Sequence, residues 1–200
     1  MHQPQSLYSI GYATKPIDIY IEQLQRYGID VVADIRSVPY SKVFHDYHQE
    51  ALKSTLKAAG IGYVYLGLEL GPRSKDTAHY DETNQVQFDW LMQSELFVAG
   101  IERLFSGLEK GFTIAMTCAE KDPAICHRSL LVGWALTHRY RLELQHILHD
   151  GNFESQAELE YRLLSETNTL PDMLMSETEA LALAYQRQCR VYAYRIPEDV

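Results

Sequence analysis

The sequence predicts an α/β fold: a mostly parallel sheet of about five strands with helices on both faces, plus a C-terminal helical appendage. Three observations carry this. Short apolar runs rich in β-branched residues alternate with stretches of helical apolar spacing from residue 7 to about 150. The helices and turns at one edge close on plain glycines (Gly28, Gly60, Gly111), whereas the strands run out into polar, reactive side chains. After Asp150-Gly151 the alternation stops and acidic helical segments follow. The expected organisation is an α/β core over residues 1–150 that carries any site, with residues 151–200 packed on it as a helical appendage and tail.

Each element has its own signal. Leu7–Ile10 is a short apolar run ending in Gly11-Tyr12, a first strand. Thr14 and Pro16 open a helix with Ile17, Ile21, Leu24 and Tyr27 on one stripe, closed by Gly28. Val31–Ile35 suits a strand covered on both faces. A loop from Arg36 to Tyr47 leads to a helix over Gln49–Ala59, then a third strand over Ile61–Leu66. Gly67 to about Val86 is long and irregular, a length that favours function or mobility. Helical spacing returns over Phe88–Leu108, broken near Gln93-Ser94. Phe112–Met116 is the fourth strand, His127–Tyr140 a helix, and Leu142–Leu148 the fifth strand. In the appendage, Phe153–Leu164 reads as a helix. Ser176 with Glu179 forms a capping box before Glu177–Arg190, and Val191–Ile196 reads as an extended end.

Composition narrows the classes. Two hundred residues suffice for a substantial core, and no apolar run approaches a membrane span. The N-terminus lacks the pattern of a signal peptide, and three cysteines, an odd number, argue against a disulfide framework. A cytoplasmic protein is the expectation. The net charge of −9 disfavours broad nucleic-acid binding but leaves room for a small anionic ligand in one pocket. No motif names a cofactor or an oligomeric state.

The chemistry concentrates after the fourth strand, where one loop holds Cys118, Glu120, Cys126, His127 and Arg128. Ligands of parallel α/β sheets bind beyond the carboxyl ends of the strands. Asp34 and Arg36, Glu69, the Cys118 loop and His146 all fall at that edge. The leading expectation is an enzyme acting on a small anionic or nucleotide-like substrate. Cys118 would be the nucleophile and Glu120 or His127 the acid or base, with Asp34 orienting them. Arg36 and Arg128 would grip the anion near a helix N-terminus, with Glu69, Cys126 and His146 on the substrate side. Three alternatives stay open. The arginines could pair with Asp34 and Glu120 and bind nothing. A non-catalytic module could use them, with Arg73 and Lys75 of the long loop, to hold a phosphate or a nucleic-acid end. Cys118, Cys126 and His127 could bind a metal or, for the two thiols, a reversible bridge. Seven residues separate the cysteines, more than the usual C-x(2–4)-C, so no metal ligand set is assigned.

Several of these pieces resemble one family. They are Ser9-Ile10-Gly11-Tyr12, Ala33-Asp34-Ile35-Arg36 with Pro39 and Ser41, and Tyr65-Leu66-Gly67 with Glu69-Leu70-Gly71. Cys118-Ala119-Glu120 with Asp122-Pro123, Cys126-His127-Arg128 and His146-Ile147 complete the set. Together they resemble the family catalogued as domain of unknown function 488, over residues 7 to about 150. The resemblance implies the fold and the site residues but no reaction. Tyr12 stands where such sequences commonly carry His, and Pro72 where a second Gly is usual. A looser likeness joins Cys118 and Arg128-Ser129 to rhodanese and cysteine-phosphatase loops, although ten positions between Cys and Arg exceed those loops.

Overall fold

A computed structural model describes residues 7–41 and 43–197. Its centre is a sheet of six strands in the order β3-β2-β4-β1-β5-β6. The strands are β1 (Leu7–Gly11), β2 (Val31–Asp34), β3 (Gly62–Tyr65), β4 (Ile114–Cys118), β5 (Leu144–Ile147) and β6 (Phe153–Ser155). All pairings are parallel except β5 with β6. Every residue of β4 is buried, as expected for a central strand covered on both faces.

Helices α1 (Ile17–Arg26) and α2 (Gln49–Ala58) cover one face, where Tyr20, Leu24, Leu52 and Leu56 pack on Ile10, Val32 and Ala115. The other face carries α5 (Glu95–Glu109) and the later helices, with Phe97, Ile101, Leu104, Leu131 and Leu163 against Leu7, Ala33 and Met116. The short helices α3 (Gly67–Leu70) and α4 (Phe88–Leu91) precede α5. Ser94 caps α5 through its hydroxyl, which accepts from Phe97 N–H, and so the helical stretch breaks where the sequence indicated.

Four boundaries differ from expectation, each for a local reason. The sheet has a sixth strand, because Phe153–Ser155 extends along β5 before a capping box of Ser155 and Glu158 starts α7 (Gln156–Glu166). The fourth strand starts two residues later, at Ile114, which makes Cys118 its last residue. The expected helix over His127–Tyr140 is composite: wide π-type turns over Arg128–Gly133, then α6 (Trp134–His138). Such turns are rare and recur near functional sites. Finally, α8 (Glu177–Tyr192) continues through the start of the expected extended end. Beyond it, Tyr194 O accepts from Val86 N–H and ties the tail to the long loop. Among the described residues, no helix is long and apolar enough to cross a membrane.

Candidate active site

The site is built on the loop that leaves β4. Asp122 caps the next turn, its carboxylate accepting from Ala124 N–H at 2.9 Å, and Pro123 starts the 3-10 segment Pro123–Ile125. This reversal returns Cys126 to the side of Cys118. The donor atoms of Cys118, Glu120, Cys126 and His127 lie within 4.8 Å of one another. Glu120 Oε2 is 2.8 Å from Cys118 Sγ and 3.1 Å from Cys126 Sγ. His127 Nδ1 is 3.4 Å and 3.9 Å from the same two sulfurs. The other ring nitrogen, Nε2, is 2.9 Å from the carbonyl oxygen of Ile35. A carbonyl oxygen only accepts, so Nε2 carries a proton and Nδ1 faces the sulfurs.

These groups tune one another. Burial raises the Cys118 thiol well above its ordinary value, and the neighbouring Cys126 and Glu120 add to this. Burial also opposes ionisation of Cys126. The hydrogen bond from Cys118 and the Arg128 guanidinium outweigh it and hold that thiol at about 6. Burial resists ionising Glu120, yet the His127 charge and the two thiols keep its carboxyl below the usual range.

Arg128 supports this loop. Its side chain is fully buried, with NH1 donating to Glu120 O at 2.6 Å and NH2 to Lys121 O at 3.1 Å. Both sequence-derived readings of Arg128, an ion pair with Asp34 or Glu120 and a grip on a ligand anion, meet a different arrangement. Its NH1 and NH2 groups donate to backbone carbonyls, while its buried Nε has no hydrogen-bond partner among the described residues. Close approach makes this possible: a Cβ on Gly11 would lie 1.9 Å from Glu120 O and 2.9 Å from Arg128 NH1.

Asp34 and Arg36 form a buried bidentate pair, Nε to Oδ1 at 2.8 Å and NH2 to Oδ2 at 2.6 Å. Tyr63 donates to Asp34 Oδ2 at 2.8 Å, and Arg36 NH1 donates to Tyr47 O at 2.8 Å. Arg36 therefore has its charge matched internally, as the neutralised alternative anticipated for this residue. Its guanidinium lies over the Tyr12 ring, 5.1 Å from the centroid.

Above the cluster is a cleft of about 360 Å³ lined by Tyr12, Arg36, Arg73, Cys118, Glu120 and His127, with Ser37, Val38, Tyr40, Pro72 and Ala119 completing its wall. Cys118, Glu120, His127 and Arg36 thus meet where the sequence placed them, at the carboxyl edge of β1, β2 and β4. Cys126, Asp34 and Arg128 stand behind that wall. Two further residues expected on the substrate side do not reach it either. His146 is fully buried, with Nδ1 2.6 Å from Ser9 Oγ and Nε2 2.8 Å from Gln156 Oε1. Burial, aided by the Arg128 charge, pushes its pKa down to about 3. Glu69 pairs with Arg103 and lines a neighbouring pocket of about 630 Å³. That larger pocket shares Ser37, Val38 and Arg73 with the cleft but none of the cluster, so the cleft is the better site.

Tyr12 and Tyr40 were missed as site residues, and Arg73 entered only in the alternative of a non-catalytic binding module. Arg73 is exposed, its backbone N–H donates to Ser37 Oγ at 3.0 Å, and its guanidinium lies 4.7 Å from the Tyr194 ring centroid. Among the described residues no carboxylate pairs with it. Its sequence signal was the charged stretch after Gly71-Pro72, and that of Tyr12 its place at the end of β1.

Fold and site define an α/β protein with a dithiol–histidine–carboxylate cluster at the carboxyl edge of its sheet. The chain belongs to the family described as domain of unknown function DUF488, which matches residues 16–135. That span holds the whole cluster, Asp34, Arg36 and Arg73. No curated protein matches the chain. Among solved structures it is similar to a candidate phosphatase (DUF442) from Shewanella putrefaciens CN-32, at 15% identity and a TM-score of 0.40. The similarity covers 97% of this chain and 90% of that one. A likeness at that level carries no argument about either fold or function.

Proposed function

We propose that this chain is an enzyme acting on a small anionic substrate bound in the cleft, with the Cys118–Glu120–Cys126–His127 cluster as its reactive end. One observation carries this reading: Cys118, Glu120 and His127 line the same cleft as Arg73, a cation that no carboxylate among the described residues pairs. Arg73 holds the anion, while the Arg36 guanidinium and Tyr12 shape the wall beside it. Glu120 and His127 face the reacting centre as part of the cluster, and Asp34 acts through Arg36 as a positioning residue. A module that merely bound phosphate would need the arginine but not four ionisable donors gathered at the floor.

Cys118 faces the substrate as part of the cluster. With its thiol held by Glu120 Oε2 at 2.8 Å, it is not a free thiolate poised for attack. In the same reading residues 1–150 carry the site and residues 151–200 clamp its loop. Arg162 binds Asp122 at 3.0 Å, Gln188 donates to Ala124 O at 2.8 Å, and Tyr185 to Leu130 O at 2.9 Å.

The test is a panel of chromogenic phosphate, sulfate and carboxylate esters. Turnover of at least one is expected, with Glu120→Gln lowering kcat and Arg73→Ala chiefly raising KM. Absence of turnover on every ester, together with no binding of phosphate, sulfate or carboxylate, would overturn the reading.

A further inference from the structure

We propose that Cys118, Glu120, Cys126 and His127 form a binding site for one zinc-class divalent cation at the floor of the cleft. The inference rests on reading that cleft as the reactive end of an enzyme. Four observations point to a cation.

The donor set comes first. Two sulfurs, an imidazole nitrogen and a carboxylate oxygen lie within 4.8 Å of one another. Tetrahedral zinc with bonds of about 2.0–2.3 Å needs donor–donor edges of roughly 3.3–3.8 Å. The contacts here run 2.8, 3.1, 3.4 and 3.9 Å, so small side-chain shifts bring all four donors onto such a shell. Soft thiolate with imidazole selects zinc or its chemical neighbours over magnesium or calcium, which take oxygen shells.

The outer partners come second. His127 Nε2 donates to Ile35 O at 2.9 Å, the arrangement that fixes a metal-binding histidine with its other nitrogen turned inward. The third observation is the bond from Arg128 N–H to Cys126 Sγ at 3.5 Å, a donor aimed at the sulfur as a thiolate ligand requires. Charge is the fourth. With both sulfurs bound as thiolates beside the Glu120 carboxylate, a divalent ion leaves the cluster one net negative charge, close to the buried Arg128 guanidinium.

The geometry also sets the side from which the ion is reached. Cys118, Glu120 and His127 line the cleft whereas Cys126 does not. The cation therefore sits at the inner end of the cleft, its four positions filled by protein donors, and its charge faces an anion held by Arg73 across the cleft. It replaces the Cys118 proton shared with Glu120 and any proton left on Cys126, which pass to the buffer.

The full chain, purified without chelator, is assayed for metal, then stripped and titrated with cobalt(II). One equivalent per chain is expected, with sulfur-to-cobalt charge transfer and the visible bands of tetrahedral cobalt. Cys126→Ser should weaken binding by at least about 100-fold, whereas Cys189→Ser, in α8, should leave it unchanged. No metal and no charge transfer, or spectra unaltered by Cys126→Ser, would overturn the proposal, as would a Cys118–Cys126 disulfide in the freshly purified chain. Should Cys126→Ser not fold, alkylation of the native chain decides. Zinc must slow modification of Cys118 and Cys126, and equal rates with and without zinc contradict the site. These readouts do not depend on turnover. A chain that binds phosphate through Arg73 but no metal would sink this inference and leave the cleft reading standing.

Discussion

Gly11 and Glu120 touch so closely that a methyl group on Gly11 would lie 1.9 Å from the Glu120 carbonyl oxygen. The end of β1 thus fixes the path of the loop after β4. Gly11→Ala must push that backbone outward, because a carbonyl cannot swing aside as a long side chain can. Overpacking of this kind costs about 1–3 kcal/mol. The expected result is a lower urea midpoint together with weaker cobalt binding, since the displaced loop carries three of the four donors. A variant as stable as the wild type would show that the contact is not restrictive.

Arg128→Lys tests the buried support. An ammonium is a single point, and it cannot reproduce the fork that reaches both Glu120 O and Lys121 O. Leaving a buried carbonyl without its donor costs about 1–3 kcal/mol. Urea denaturation should therefore give a loss in that range despite the conserved charge, and a Lys variant of native stability would contradict the assigned role.

His146 should make stability depend on pH. Its folded pKa is depressed from 6.5 to about 3, so between those values the unfolded chain binds a proton that the folded chain refuses. Stability is fully present above pH 6.5 and falls on acidification, by at most about 1.4 kcal/mol per pH unit. His146→Gln cannot titrate and should flatten that part of the slope, measured by denaturation at fixed pH values. Equal slopes in both chains would mean that the buried ring accepts a proton when folded.

The appendage should not be dispensable. Ending the chain at Asp150 removes Gln156 from His146, Gln188 from Ala124 and Tyr185 from Leu130. It also removes Arg162, which ties Asp122 to Glu154 and Glu166. Circular dichroism should find the shortened chain unfolded or lacking a cooperative transition. A cooperatively folded chain that still binds cobalt would make residues 151–200 a mere attachment.

The sheet was legible because buried parallel strands are largely apolar, as in Val31–Asp34 before its final Asp34, and because glycine turns punctuate the far edge. The β6 strand was not: three residues leave too short a pattern, and Phe153 also fits the helix that follows. The pairing of Asp34 with Arg36 was legible only as an alternative to an anion grip, although two charges on one side of a strand can scarcely be buried apart. Arg128 defeated the sequence reading because its partners are carbonyls, which every residue carries. The closeness of the two cysteines was hidden for a related reason. Seven residues look too long for a metal pair until Asp122 and Pro123 fold the loop back, and that closure exists only in three dimensions.

The measurement that tests the account most directly is thermal unfolding in phosphate against chloride at equal ionic strength, in the wild type and in Arg73→Ala. Ligand held by the folded chain alone raises the transition temperature. Phosphate at millimolar concentration should raise it above the chloride value in the wild type, and Arg73→Ala should erase the difference. No difference in the wild type, or one that persists without Arg73, would contradict a cleft built to hold an anion over the Cys118 cluster.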